Sequence, residues 1–251
     1  MFRTLIGLFK IIWYLISSLP TKKKVDKLDK EGKIKERDEV VAPLVMSWAQ
    51  YMIKVTGKNT TVKVIGEENV PQDTAVVFIG NHQGYFDIPL LLGYINKPKA
   101  FVSKIEVLKV PIISDWMRYM QCTFLDRKNP RQSIKAMSEA VENVRKGYSL
   151  VIFPEGTRSK GGPIKEFKAG SFKLAFKSGV PIVPVTIDGT WKLFEEKKRL
   201  QPAEITLTIH PAIPTAGLSK EELTLIPPKV QEIVARGLKG WIFSKKHNSF
   251  G

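Results

Sequence analysis

Between Thr61 and His210 the chain carries seven short runs rich in β-branched and aromatic residues. They are VKVIG (62–66), TAVVFIG (74–80), KAFVS (99–103), QCTFL (121–125), YSLVIF (148–153), PIVPVTI (181–187) and EITLTIH (204–210). Turn residues bound them, so each reads as a strand. Helical patterns lie between several. The clearest covers 130–145: Asn129 is placed to cap it, Pro130 takes its first position, Ile134, Met137, Val141 and Val144 form the stripe, and Gly147 closes it. A shorter helix around 172–177 precedes the 181–187 strand. Near the end, Ser219 and Glu222 match a capping box, Pro227–Pro228 is expected to break the helix, and a second helix carries Val230, Ile233, Val234 and Leu238. Strand and helix in alternation predict an α/β fold, a mixed, largely parallel sheet flanked by helices. Functional residues in such sheets gather where strands end at their carboxyl edges.

The first 57 residues follow another pattern. Residues 2–19 are apolar apart from a stripe about 80° wide formed by Arg3, Gly7, Lys10, Tyr14 and Ser17. A transmembrane helix needs ~20 apolar residues, and Lys10 interrupts this run; no small-residue cleavage site of a signal peptide follows. A helix lying in one leaflet, its stripe toward water, explains the spacing best. A span, or a helix packed on the protein itself, are the alternatives. A charged segment then begins with Lys22, Lys23 and Lys24. Such lysines are drawn to anionic headgroups by ~1 kcal/mol each near the surface and favour the cytoplasmic side; a solvated linker helix is the plainer reading. Val41, Val45, Trp48, Met52 and Val55 mark a second apolar helix, with Pro43 in its first turn. The chain thus divides into an N-terminal two-helix membrane-binding motif (1–57) and an α/β domain (58–251). It is expected at the cytoplasmic face of the cell membrane, monotopic or peripheral.

Charge narrows the partners. Forty Lys and Arg stand against 24 Asp and Glu, net +16, a surface that attracts phosphate on lipid, nucleic acid or a small substrate. One cysteine, Cys122, excludes an internal disulfide and a multi-cysteine zinc site. It sits in an apolar strand and reads as a core residue. Three histidines, His82, His210 and His247, leave little for a histidine-rich metal site, and no metal is expected.

The strand ends carry the chemistry. TAVVFIG runs into Asn81-His82-Gln83-Gly84-Tyr85-Phe86-Asp87. If His82 ends the strand and Asp87 opens a helix, the turn can fold the carboxylate back on the imidazole. The carboxylate would hold Nδ1–H and leave Nε2 as a general base. Alternatively Asp87 only caps a helix before Pro89 and His82 is a turn residue. Spacing alone leaves both open.

NHQGYFD resembles the H-x4-D block of the glycerolipid acyltransferases, the family that contains the 1-acylglycerol-3-phosphate acyltransferases. Three further blocks follow in that family's order: Phe124-Leu125-Asp126-Arg127, Phe153-Pro154-Glu155-Gly156-Thr157-Arg158-Ser159, and Val180-Pro181-Ile182-Val183-Pro184-Val185. A lone H-x4-D is a weak signal; four ordered blocks across 81–185 are a strong one. The resemblance implies that His82 is the base and Asp87 its orienting partner, with Arg127 and the Glu155-Gly156-Thr157-Arg158 turn on the acceptor's phosphate and glycerol. The residue types suit those roles. Two guanidiniums can bind phosphate bidentately, Gly156 permits a sharp bend, and Glu155 can accept a bond from a glycerol hydroxyl. Lys104, just past the 99–103 strand, is a further phosphate candidate. Lys160, Lys165 and Lys168 read as general surface charge. The fourth block reads as a buried strand, with Pro184 a candidate wall of an acyl channel. His210 and His247 read as bystanders.

The implied reaction moves an acyl chain from an acyl thioester to the sn-2 hydroxyl of lysophosphatidic acid, giving phosphatidic acid. It needs no cofactor beyond the thioester co-substrate, on acyl carrier protein or coenzyme A, and its other partner is an anionic membrane surface. Another acceptor, such as glycerol 3-phosphate or a different lysolipid, is the nearest competitor. A non-enzymatic basic membrane-binding module would account for the charge but has no use for an oriented base. No specific nucleic-acid partner is expected: there is no helix-turn-helix signature, zinc spacing or RNA-binding aromatic motif.

Overall fold

Strands covered on both faces need continuous apolar sequence, and the runs at 74–80, 148–153 and 181–187 supply it, while those at 62–66 and 204–210 alternate. The computed structural model describes residues 2–126 and 128–239. Its strands are β1 (Thr61–Ile65), β2 (Val77–Gly80), β3 (Lys99–Lys104), β4 (Thr123–Leu125), β5 (Ser149–Ile152), β6 (Ile182–Asp188) and β7 (Glu204–Ile209). They form one seven-stranded sheet in the order β1-β7-β6-β2-β5-β3-β4. β6 and β7 pair antiparallel and every other pairing is parallel. The sheet is therefore mixed and largely parallel, as the alternation predicts. Strands β2 to β6 share one direction, so the residues after Gly80, Lys104, Leu125, Ile152 and Asp188 meet along a common carboxyl edge.

The helices are α1 (Phe2–Ser17), α2 (Leu19–Lys30), α3 (Ile34–Val55), α4 (Asp87–Tyr94), α5 (Ile113–Tyr119), α6 (Pro130–Arg145), α7 (Lys173–Ser178) and α8 (Lys220–Arg236). α3 and α4 cover one face of the sheet over Phe78, Phe101 and Val151. α6, α7 and α8 cover the other over Val77, Ile79, Leu150 and Ile152. Successive residues of β2 and β5 thus go to opposite layers, as the pleat requires. α6 is capped as expected: the Asn129 side chain accepts the Gln132 N–H. The Ser219–Glu222 capping box is likewise formed.

Two proline expectations fail. Pro43 is inside α3, which starts nine residues earlier at Ile34, and not in a first turn. Pro227 and Pro228 do not divide the last helix, because α8 runs unbroken through both. An interior proline costs ~3 kcal/mol or more. Each helix nevertheless carries a buried stripe, Val41, Val45, Ala49 and Ile53 in α3, and Ile226, Pro227, Val230, Val234 and Ala235 in α8, while Pro43 and Pro228 face outward. Full burial of one Val or Ile contributes ~1.5–3 kcal/mol, so the packed stripe outweighs the lost hydrogen bonds.

α1 and α3 are the two expected N-terminal helices, and the charged segment between them folds as α2. The orientation of α1 differs from expectation. Gly7 lies against Leu200 and Val55, and Tyr14 packs on Tyr51 with its hydroxyl donating to Ser47. That part of the stripe faces the protein, because its small and hydrogen-bonding residues let α1 sit close on α3. Lys10 and Ser17 remain exposed, and the apolar face, with Phe9 66% and Trp13 62% exposed, points away from the body. No single described helix is long and apolar enough to cross a membrane; α1 and α2 together meet the length only as a pair bent by 41°.

Lys99 opens β3 inside the core. Its Nζ donates to Leu91 O (3.0 Å) and Ile95 O (2.9 Å), closing the end of α4. Burial pushes its ammonium down to about 7. Unfolded, the same lysine holds its proton to about 10.5, so between those values the unfolded chain binds more protons and stability rises with pH. Lys99→Met removes this group and leaves two carbonyls unmet. Its destabilisation, read by urea unfolding, is expected to be larger at pH 9 than at pH 6.5.

Candidate active site

β2 ends at Gly80, and the next six residues form a loop over the carboxyl edge before α4 opens at Asp87. Asn81 anchors the start of the loop: its side chain both donates to Ile187 O and accepts the Ile187 N–H, each at 2.8 Å. The loop then turns Asp87 back on His82, Nδ1 to Oδ2 at 2.6 Å. Asp87 is fully buried and the imidazole is 18% exposed. Of the two readings that spacing left open, the geometry has the carboxylate on the imidazole. The same Oδ2 accepts the Gln83 N–H (2.6 Å) and the Gly84 N–H (2.9 Å), while Thr190 Oγ1 donates to Oδ1. With Nδ1 engaged as a donor, Nε2 is left as the acceptor on the open side. Phe153 stacks on the ring with centroids 4.2 Å apart and planes 11° from parallel, which fixes the plane of the imidazole.

The third block leaves β5 beside this loop and is laced to it. Ser159 N–H donates to His82 O (2.7 Å) and Lys160 N–H to Gln83 O (3.0 Å). Glu155, buried, accepts the His82 N–H on one oxygen (2.7 Å) and the Lys165 N–H on the other (3.0 Å). Burial raises its carboxyl above the ordinary range, opposed by those two amide bonds. One oxygen of Glu155 thus braces the backbone of His82 and the other that of Lys165, an arrangement that spacing does not reveal. Gly156 adopts φ +70°, the bend expected of it. Thr157 is exposed and accepts a bond from the Lys165 ammonium at 3.0 Å.

Arg158 is held in place by the protein. Its guanidinium donates to Glu195 (3.1 Å) and lies 3.6 Å over the Tyr85 ring. Lys104 ends β3 on the same carboxyl edge, exposed, and pairs in register with Leu125 at the end of β4. Arg127, just beyond, lies outside the described residues, as does His247. His210 is bonded to Thr186 Oγ1 (2.8 Å), away from this cluster. Among the described residues no group of three or more His, Cys, Asp or Glu is arranged to hold a metal ion. Cys122 is in the core, its thiol pushed up to about 12 by burial. The fourth block forms β6, where Val183, Pro184 and Val185 are buried beside β2.

Thr190 and Glu195 were not among the residues that the sequence singled out. Thr190 follows the Asp188-Gly189 turn after β6 and reads as loop. Glu195 opens a charged stretch, Glu195-Glu196-Lys197-Lys198, and reads as surface. Only the position of β6 next to β2 brings them here.

An α/β sheet with an oriented histidine and an anion-receptive arginine at one carboxyl edge defines the class. The acyltransferase family model matches residues 61–188, just over half of the chain. The chain is 33% identical over 180 residues to a 1-acyl-sn-glycerol-3-phosphate acyltransferase of Borreliella burgdorferi, covering 69% of this chain and 72% of that protein. It is 38% identical over 151 residues to the chloroplastic 1-acyl-sn-glycerol-3-phosphate acyltransferase BAT2 of Brassica napus, covering 59% of this chain and 44% of that one. The crystal structure of PlsC, the 1-acyl-sn-glycerophosphate acyltransferase of Thermotoga maritima, superposes with a TM-score of 0.73 at 29% identity, covering 94% of this chain and 95% of that one. The chain spans about half the length of several curated relatives that it matches. This chain belongs to the acyltransferase family.

Two substitutions separate the supports of the histidine. Thr190→Val removes the donor to Asp87 Oδ1 and is expected to slow acyl transfer about tenfold and to destabilise the fold by about 1 kcal/mol, since Oδ2 keeps its three donors. Glu155→Ala orphans the His82 and Lys165 amides and is expected to destabilise the fold by about 2–4 kcal/mol as well; chemical denaturation of the two variants beside rate measurements tells them apart.

Proposed function

We propose that this protein transfers an acyl chain from an acyl thioester, on acyl carrier protein or coenzyme A, to the sn-2 hydroxyl of 1-acylglycerol 3-phosphate, forming phosphatidic acid. The observation that carries this reading is the 2.6 Å His82–Asp87 pair with a partly exposed imidazole, its loop bonded through Ser159 N–H to the turn that bears Arg158. Its fit with the names of the relatives supports the choice of acceptor.

The residues act in a simple order. Nε2 of His82 takes the proton of the acceptor hydroxyl as its oxygen attacks the thioester carbonyl. Asp87 stabilises the imidazolium that results, and the Phe153 face beneath it favours the positive ring. Collapse of the tetrahedral species breaks the carbon–sulfur bond, and the imidazolium returns the proton to the departing thiolate. The ester, the free thiol and the original imidazole remain. Arg158, Arg127 and Lys104 supply cationic donors for the acceptor phosphate, with the Gly156–Thr157 turn close by. No step calls on a metal or on a covalent acyl-enzyme.

The lipid acceptor gives the exposed face of α1 a purpose. Leu5, Leu8, Phe9, Ile12, Trp13 and Ile16 form an outward apolar surface on a helix too short to span, which suits burial in the interfacial layer of one leaflet. Lys23 and Lys24, exposed on α2 just beyond, add attraction to anionic headgroups. These features support a monotopic or peripheral enzyme, and the run of lysines favours the cytoplasmic face of the membrane.

Acyl transfer to lysophosphatidic acid, assayed with both thioester donors, tests the reaction. His82→Ala is expected to lower the rate by about 10²–10⁴-fold with the fold retained; a near-normal rate in that variant removes histidine from the mechanism. Phe9→Ser with Trp13→Ser is expected to reduce co-flotation with anionic liposomes without a loss of secondary structure. Variants that float as wild type does would remove α1 from membrane attachment.

A further inference from the structure

Glu195 stands in a stretch whose composition marks it as solvated surface, yet its side chain is only 2% exposed. One oxygen, Oε1, accepts both the Tyr85 N–H (2.7 Å) and the Arg158 guanidinium (3.1 Å). The other, Oε2, is buried with no hydrogen-bond partner among the described residues and rests on Gly84, where a Cβ would come within 2.6 Å of it. Tyr85 is 59% exposed, so its ring is not held by burial. It is instead fixed through its own backbone N–H and by an edge contact with Phe194, centroids 6.2 Å apart. Arg158 is therefore pinned along one edge by a carboxylate and across one face by an aromatic ring that the same carboxylate holds. It offers five N–H donors and Glu195 takes one; the side chain remains 25% exposed.

This clamp is tied to the base. Tyr85 belongs to the His82–Asp87 loop, and Ser159, next to Arg158, bonds to the His82 carbonyl at 2.7 Å. An arginine normally gives up considerable rotamer freedom when it captures an anion. Here that freedom is lost on folding, before any ligand arrives.

We infer that Glu195 is a positioning residue that holds Arg158, on a turn bonded to the His82 loop, ready to receive the acceptor's phosphate. The inference rests on the acceptor proposed above and adds to it what holds the arginine that meets the phosphate. Gly84 is required because any side chain there displaces the carboxylate.

The test compares wild type with Glu195→Ala, Glu195→Gln and Tyr85→Ala. KM for lysophosphatidic acid, KM for the thioester and kcat are measured separately. Glu195→Ala is expected to raise the acceptor KM about tenfold or more, with kcat and the donor KM within about twofold of wild type, the scatter expected when no direct contact is lost. Glu195→Gln keeps an oxygen that accepts from both donors and is expected to restore most of the loss. Tyr85→Ala leaves the core untouched and is expected to raise the acceptor KM in the same direction, so it decides the matter if Glu195→Ala does not fold. A fall in kcat with unchanged acceptor KM, or a loss that follows melting temperature and is not rescued by glutamine, overturns the assignment. Calorimetric binding of inorganic phosphate gives a readout independent of turnover. If wild type fails to acylate lysophosphatidic acid, the acceptor proposal falls, while weaker phosphate binding by Glu195→Ala still upholds the clamp and equal binding sinks it.

Discussion

A buried carboxylate needs donors, and the site is organised around meeting that need for Asp87. Removing one ion from water costs several kcal/mol even after relaxation. Asp87 is fully buried and takes bonds from His82 Nδ1, two consecutive backbone amides and the Thr190 hydroxyl. Three of these donors come from the loop that follows β2. The fourth comes from the turn after β6, about a hundred residues along the chain. The carboxylate can be satisfied only if β2 and β6 are neighbours in register, and they are, with Ile79 opposite Pro184. Packing of the sheet and orientation of the base are thus one constraint.

A second carboxylate performs the same service from the other side. Glu155 comes off β5, the other neighbour of β2, and braces the amide of the histidine itself. The catalytic loop is held between two strands by side chains that accept backbone N–H groups, and hydrogen bonds to ionised acceptors are the stronger kind. Glu195 extends the pattern to Tyr85 and Arg158. Three acidic residues at the carboxyl edge, Asp87, Glu155 and Glu195, thus hold His82, Tyr85 and Arg158 within a protein of net charge +16. An excess of positive charge of this size attracts anionic surfaces and ligands.

The N-terminal helices show how a sequence pattern can be sound while its direction is not. Residues 2–19 are correctly read as an amphipathic helix, because the 100° periodicity is intrinsic to the chain. Periodicity does not say which face meets the protein. Gly7 and Tyr14 turn inward because close helix approach favours a small residue and a tyrosine with a hydroxyl partner, Ser47. α3 in turn is not a loose appendage: its buried stripe shares one core with the sheet strands. The prolines teach the same lesson. Pro43 and the Pro227–Pro228 pair are helix breakers by local rule, but burial of the flanking stripes outweighs the local cost.

The sequence by itself determined the strands, the capped helices and the mixed parallel sheet, and its four blocks singled out His82, Asp87 and Arg158, while their contacts waited for the fold. These follow from alternation, capping chemistry and short motifs whose members lie within a few residues of one another. The supports of the site were decided only by the tertiary structure. Thr190, Glu195 and the bracing role of Glu155 depend on contacts between residues 37 to 110 positions apart. No local propensity encodes such a contact. It exists because the sheet order places β2 between β5 and β6, so that loops far apart in the chain meet at one edge and neutralise each other's buried polar groups.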